Sequence, residues 1–394
     1  NGLAEAFDGL GYRVLQAVSD FDLLRAPERF DAEFDLLEGM ARRAARPLSM
    51  TWLQREPGAE QWKQIRARAE QANAQGLTMR LQTAARGIGV INGLDASFHP
   101  FMGFPTYKSL AHLPPAERAA QLRQPEIKAR VLAEKSERLA GDGTAIPPLV
   151  DILLAQIDLL AARMFPLTAE VNYEPTLAQS FLAQAKGRGV SALEALYDYL
   201  TAGDGSNLLY FPIFNYGPGS LDVVEEMLRH PLALVALSDA GAHVGTVCDA
   251  SFPTTLLSYW TRDRQRGRRL SLSQAVEMLT ARNADYLGLQ DRGRLAVGKK
   301  ADINVINYEQ LRATMPELKR DLPAGGKRFV QRADGFGHRR IAENLRVPAT
   351  TVRGWLRRVA GRVESVRAWF IQVAMRTGID VPVPQGFGCG WRDL

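Results

Sequence analysis

Asp239 and His243 stand four residues apart in the run VALSDAGAHVG (235–245), with Gly241 and Gly245 beside them. The run opens on short apolar residues, the pattern of a strand buried on both faces, and then turns abruptly polar and flexible. A carboxylate at the end of such a strand can take up a proton and return it. In an α/β barrel the chemistry sits at the C-terminal ends of the strands, where this Asp would lie. The structural reading of the same fragment is an Asp that caps the following helix or satisfies loop amides. His99, in the aromatic loop GLDASFHPF (93–101), and Asn215 and Tyr216, in the turn NYGPG (215–219), are further candidates to reach a site. His112 reads as a surface residue and His230, ahead of Pro231, as a charge complement at a helix C-terminus. Cys248 has no basic neighbour in sequence and reads as a small buried side chain.

The elements that would carry these residues follow a strand–helix rhythm. Strands are expected over 11–19, 47–54, 77–84, 207–212 and 231–239, and helices over 30–43, 58–76, 114–122, 125–138, 150–164, 177–187, 191–201, 222–229, 253–264 and 271–280. That spacing is the βα unit of a parallel sheet. It predicts about five of the eight strands of a TIM-like (β/α) barrel, an incomplete barrel whose missing strands would precede Asn1. Between Arg86 and Leu113 the pattern loosens into a Gly- and Pro-rich stretch with interleaved aromatics, read as a functional loop. A strand over 301–307 falls outside the barrel rhythm.

The chain has 394 residues, 46% hydrophobic and 23% charged, the balance of a globular protein. No run approaches the roughly 18 to 20 apolar residues of a membrane span, and no leader follows Asn1. The absence of an initial Met suggests a fragment or a processed product. Cys248 and Cys389 are the two cysteines, too few for a disulfide framework or a Cys-rich zinc module, which points to a reducing cytoplasm. The net charge of +6 lies entirely in the tail: ten arginines and four acids follow position 336, and the charges before it cancel.

The run SDAGAHVGTVCDASFPTTLLSYWTRDR (238–264) resembles the amidohydrolase superfamily and, more closely, N-acyl-D-amino-acid deacylases. LTARNADYLGLQDRGRLAVGKKAD (279–302), DLPAGGKRFVQRAD (321–334) and the loop around His99 are similar to the same family. The resemblance covers roughly 10–335 and is most specific over 238–302. It implies a (β/α) barrel over 1–287 with a remnant of a small β-sandwich over 288–335. It also implies metal-dependent hydrolysis of a linear amide, with an N-acyl amino acid as small-molecule substrate. A divalent metal, zinc by resemblance, would act there, and Asp239 would move the proton and could touch the metal. The family's His-x-His pair of the first strand has no counterpart here, and the stretches SMTWLQ (49–54) and TMRLQ (78–82) carry no His where many members do. The metal ligands are therefore unknown from sequence.

From 336 to 394 the chain reads as an all-α segment. Ile341, Ala342 and Leu345 form one helix face, Pro348 interrupts it, and a second helix presents Val352, Trp355 and Leu356 inward with Arg353, Arg357 and Arg358 outward. Two short helices with a basic second one resemble the helix-turn-helix of transposases, and those arginines would contact phosphates of DNA weakly and with strong salt dependence. Three functions follow as expectations: the amide hydrolase, a DNA-binding protein, and an inactive fusion fragment.

Overall fold

The computed structural model describes residues 2–19, 21, 26–56, 58–141, 148–238, 243–300, 304–335 and 370–371. Seven strands come first in chain order: β1 (Leu15–Ala17), β2 (Leu48–Thr51), β3 (Met79–Thr83), β4 (Ile88–Asn92), β5 (Phe165–Leu167), β6 (Leu208–Phe214) and β7 (Ala233–Val235). The sheet β1-β2-β3-β7 is parallel throughout, with Leu15 opposite Leu48, Leu48 opposite Met79 and Leu81 opposite Ala233. Every residue of β2 and β7 and all but one of β3 is buried, although Gln16, Ser49, Thr51, Gln82 and Thr83 interrupt the apolar positions.

The helices on that face form where the 3.6-residue period predicts. In Phe30–Ala44, Phe30, Phe34, Leu37 and Ala41 point inward; Ala45 then turns left-handed, and the chain leaves through Pro47. In Gln61–Ala74 the buried residues include Trp62, Ile65, Ala69 and Ala72, the face expected from sequence. These residues and Leu48, Met50, Met79 and Leu81 of the sheet share one core. Trp52 locks it by donating its indole N–H to the Trp62 carbonyl at 2.8 Å.

Between β3 and β7 the chain builds a second lobe. Here β4, β6 and β5 make an antiparallel sheet backed by helices that include Pro115–Leu122, Phe181–Arg188 and Ala192–Thr201. The strand expected over 207–212 therefore exists, but it pairs antiparallel in this lobe. The count of five barrel strands is corrected to four parallel strands among the described residues. A barrel strand needs parallel neighbours, and periodicity in one segment carries no information about its partner's direction.

The edge of the parallel sheet at β7 is covered. Arg282 and Asn283, on the helix Ala281–Tyr286, donate to the carbonyls of Ala233 (3.4 Å) and Val235 (3.3 Å). The same helix reaches the chain's beginning, where the Tyr12 hydroxyl donates to the Tyr286 carbonyl at 2.6 Å.

Downstream, β8 (Asn304–Val305), β9 (Arg312–Ala313), β10 (Glu317–Leu322), β11 (Gly326–Val330) and β12 (Ala333–Asp334) form small antiparallel pairs, β10 with β11 and β9 with β12. The tail expected to be all-helical contributes one described element, β13 (Phe370–Ile371), and it is a strand antiparallel to β8. The helix-turn-helix residues lie outside the described residues. No helix among the described residues is long and apolar enough to cross a membrane.

Candidate active site

Asp239 itself lies outside the described residues, as do positions 240–242. The stretch is described again from His243, whose backbone has a positive φ of 49°. Its carbonyl accepts from the amides of Thr246 and Val247, each at 2.8 Å, so the chain folds into a tight turn. Beyond the turn the chain is gripped on both sides. Val244 accepts from the Phe329 amide (2.7 Å), Gly245 from Ser97 (3.0 Å) and Thr246 from Ile91 (2.7 Å). A Cβ on Gly245 would come within 2.0 Å of the Ser97 hydroxyl, so glycine permits this approach.

That grip brings His243 to the wall of a cavity of about 430 Å³, and His99 lines the same cavity with Asn92, Thr246 and Asp249. Two of the histidines singled out from sequence are thus brought together from positions far apart in the chain. Ile88, Val90, Phe98, Met102, Phe211 and Phe214 give the remaining wall a strongly apolar character. The size falls in the range of small-molecule sites.

His99 is buried, and burial, followed by the charges of Arg118 and Lys327, pushes its imidazole down to about 3. Its Nδ1 accepts the Phe101 amide at 3.2 Å, which leaves the proton of the neutral ring on Nε2. His99 is therefore a hydrogen-bond donor at any physiological pH, and Tyr107 packs edge-on to its ring at 4.5 Å. His243 differs in being exposed.

Asp249 was not evident from sequence, where it reads as one more loop acid. In the structure it is buried with Arg86, whose Nη2 donates to the Asp249 carboxylate (3.3 Å) and to the Cys248 carbonyl (2.7 Å). The guanidinium lies 3.6 Å from the centre of the Tyr173 ring. Cys248 is buried in an apolar cluster with Tyr173 and Tyr210.

Asn215 and Tyr216 are not in this cavity. Asn215, in the left-handed region at φ 64°, accepts the Gln54 amide at 2.8 Å and donates its own backbone N–H to the Gln54 carbonyl at 3.0 Å. Tyr216 donates to the Pro175 carbonyl and packs edge-on against Phe165. Both are buried in framework roles: Asn215 ties the end of β6 to the segment after β2, and Tyr216 ties it to Pro175 and to β5. Of the other histidines, His112 is exposed, and His230 follows the helix Asp222–Arg229 with its Nε2 2.9 Å from the Glu70 carboxylate. Arg353, Arg357 and Arg358 lie outside the described residues.

A second buried cluster also escaped the sequence reading. Arg264, fully buried, donates to Glu174 (3.1 Å), Glu225 (2.8 Å) and Asp222 (2.7 Å), while the Tyr259 hydroxyl donates to Glu174 at 2.5 Å. These partners come from the inserted lobe, from the helix before β7 and from the π-helical turn Tyr259–Asp263. The cluster pins the lobe to the parallel sheet.

Among the described residues no three His, Cys, Asp or Glu side chains gather as a group able to hold a metal ion. His99 has committed Nδ1 to a backbone amide, Asp249 is bound to Arg86, and the strand-end positions 54 and 82 are glutamines that engage protein groups. The described residues do not fit a metal centre.

A parallel sheet with helices on its face, joined to an antiparallel lobe inserted before its last strand, defines an α/β protein. The chain belongs to the amidohydrolase family: the family model described as "Amidohydrolase family" matches residues 2–355. The match runs past Asp334 into the segment read from sequence as a helix-turn-helix. Among solved structures, D-aminoacylase, whose structure defined a novel subset of amidohydrolases, is similar at 15% identity and a TM-score of 0.38, covering 79% of this chain and 48% of that one. A D-aminoacylase studied for the role of its binuclear metal centre gives 14%, 0.38 and the same coverage. N-acyl-D-glutamate deacylase from Bordetella bronchiseptica, complexed with zinc and a phosphonate inhibitor, gives 16% and 0.36, again covering 79% and 48%. The chain thus spans about half the length of the solved proteins it matches. No curated protein matches it.

Proposed function

We propose that the chain serves a hydrolase that cleaves the C–N bond of a linear amide, as an N-acyl-D-amino-acid deacylase does, with its four parallel strands as part of a (β/α) barrel. One observation carries this reading. In a chain that belongs to the amidohydrolase family, a turn that opens on His243, four residues after Asp239 in sequence, sets His243 on the wall of a cavity shared with His99. The apolar wall suits an acyl chain or an apolar amino-acid side chain, and the neutral His99 offers an N–H to a carbonyl oxygen.

In the reaction, water adds to the amide carbonyl, the C–N bond breaks, and a proton must reach the departing nitrogen. Asp239 would take that proton from the water and hand it to the amine, a role for which a carboxylate is suited. A divalent metal, zinc in the family reading, would need ligands beyond the described residues, which gather no group of three able to hold it.

The test is acetate release from N-acetyl-D-leucine by the full chain with zinc in excess, beside an Asp239→Asn variant. The expected result is release that falls about 100-fold or more in the variant, the usual weight of a general acid–base group. No release from any N-acetyl-D-amino acid, or release indifferent to Asp239→Asn, overturns the proposal.

A further inference from the structure

The loop that carries His99 and the turn that opens on His243 are both fastened to the hairpin β10–β11. On β11, Phe329 donates its amide N–H to the Val244 carbonyl at 2.7 Å. Two residues earlier on the same strand, Lys327 Nζ donates to the Asp95 carbonyl at 2.8 Å and to Asp95 Oδ1 at 3.3 Å. From β10, Arg320 Nη2 donates to both Asp95 carboxylate oxygens, at 2.6 and 2.8 Å. Residues two apart on an extended strand stand about 7 Å from each other, so β11 sets the spacing of the two loops. The strand is itself anchored, because Phe329 is buried among Ile91, Ala96, Tyr173, Tyr210 and Cys248.

Each loop is braced to follow its anchor. Gly93 accepts the Ala96 amide at 2.9 Å and Asn92 Nδ2 donates to the Phe98 carbonyl at 3.1 Å, so Asp95 sits in a turn that leads directly to His99. Val244 follows His243, and the Ser97 amide on the Gly245 carbonyl, at 3.0 Å, joins one loop to the other. Stability does not account for the Asp95 cluster. Three cations converge on one carboxylate, with Arg118 Nη2 the third at 3.7 Å. Arg320 is half exposed and Lys327 a third exposed. Such pairs contribute little, and the gathered cations repel one another. What the cluster secures is the place of Asp95 relative to β11.

We infer that the hairpin β10–β11 positions the candidate active site, with Lys327 and Phe329 as positioning residues that hold the His99 loop and the His243 turn against each other across the cavity. The backbone bond at Phe329 fixes the turn, and the Lys327 clasp fixes the loop that presents the His99 N–H. A displacement of about 1 Å at a reacting site can cost about 100-fold in rate, so a clasp of small energy can matter to chemistry. The consequence for catalysis rests on the hydrolytic reading above; the coupling of the two loops through the hairpin does not.

The experiment compares the full chain with Lys327→Met, with Asp95→Asn, which loosens the clasp from its other side, and with Lys327→Arg, which keeps charge and donors. Lys319→Met is the control, since Lys319 lies on the same hairpin and pairs with Glu317. Amide exchange is followed by NMR at Ser97, Thr246, Val247 and Phe329, beside the thermal midpoint. The expected result is exchange about tenfold or more faster at all four amides in Lys327→Met and Asp95→Asn, with β2 and β3 still protected and the midpoint little changed. Lys327→Arg should restore the parent rates and Lys319→Met should leave them alone. With N-acetyl-D-leucine, Lys327→Met should lower kcat about tenfold or more at a little-changed KM, again restored by Lys327→Arg. Unchanged exchange at Thr246 and Val247 in Lys327→Met, an equal effect of Lys319→Met, or faster exchange throughout the sheet would overturn the inference. A parent chain that hydrolyses nothing removes the proposed function and leaves the exchange rates to decide this one.

Discussion

Burial holds the His99 imidazole near a pKa of about 3, well below the roughly 6.5 of an unfolded chain. Between those two values the unfolded chain binds a proton that the native chain does not. The contribution to stability is complete above about pH 6.5 and is lost as the pH falls toward about 3. A cost of a few kcal/mol in acid is expected from this one side chain. His99→Gln should flatten the decline, so that urea midpoints at pH 7 and pH 4.5 differ less in the variant than in the parent; an equal decline in both would remove His99 as the cause. Arg264 acts in the opposite sense, as a charge that must stay. Arg264→Met leaves the buried Glu174 carboxylate without its cation, while Glu225 keeps Arg229 and Arg268, and should cost about 3 to 5 kcal/mol in urea unfolding, against less than 1 for an exposed arginine such as Arg312. The histidines of the site were legible because each stood in a loop with glycine or aromatic neighbours. Asn215 and Tyr216 were not separable from them, since a turn residue that fixes backbone has the same sequence signature as one that faces a ligand. The Arg86–Asp249 pair spans 163 positions, and nothing local announces it.

At the scale of elements, hydrophobic period located the helices Phe30–Ala44 and Gln61–Ala74 and the four parallel strands, because each packs a regular face on one core. It failed at β4. The glycines of 87–93 read as a loop, yet they let a strand lie close against β6: a Cβ on Gly89 would sit 2.3 Å from the Phe211 carbonyl oxygen. Backbone cannot move aside as a side-chain tip can. Gly89→Ala should therefore lower stability by about 1 to 3 kcal/mol and strip hydrogen-exchange protection from β4 and β6, leaving β1 to β3 protected. Uniform loss of protection would contradict a local clash. The segment 207–212 was legible as a strand and illegible as antiparallel, since direction is a property of the pair.

For the molecule as a whole, the exposed rim of the parallel sheet is the hazard, because an unpaired strand edge invites another chain. Arg282 and Asn283 blunt it at β7 by occupying the Ala233 and Val235 carbonyls. The double variant Arg282→Ala/Asn283→Ala should raise the light-scattering mass at concentrations where the parent is unchanged; identical scattering would show that the edge is protected by other means. From sequence the family was legible over most of the chain, through the runs at 238–264 and 279–302, whereas the direction of β6 and the cover on β7 depend on contacts between distant segments.

The Tyr12–Tyr286 contact joins residues 274 positions apart, and β7 reaches β3 only after the whole second lobe has been made. On the ribosome, β1 to β3 would emerge long before the strand and helix that complete their sheet. Such long-range closure is slow, and the waiting sheet keeps its edge uncovered. Production of the chain should thus be limited by the interval between the synthesis of Thr83 and that of Tyr286, and slowing translation downstream of β3 should lengthen the time that nascent chains spend bound to chaperones.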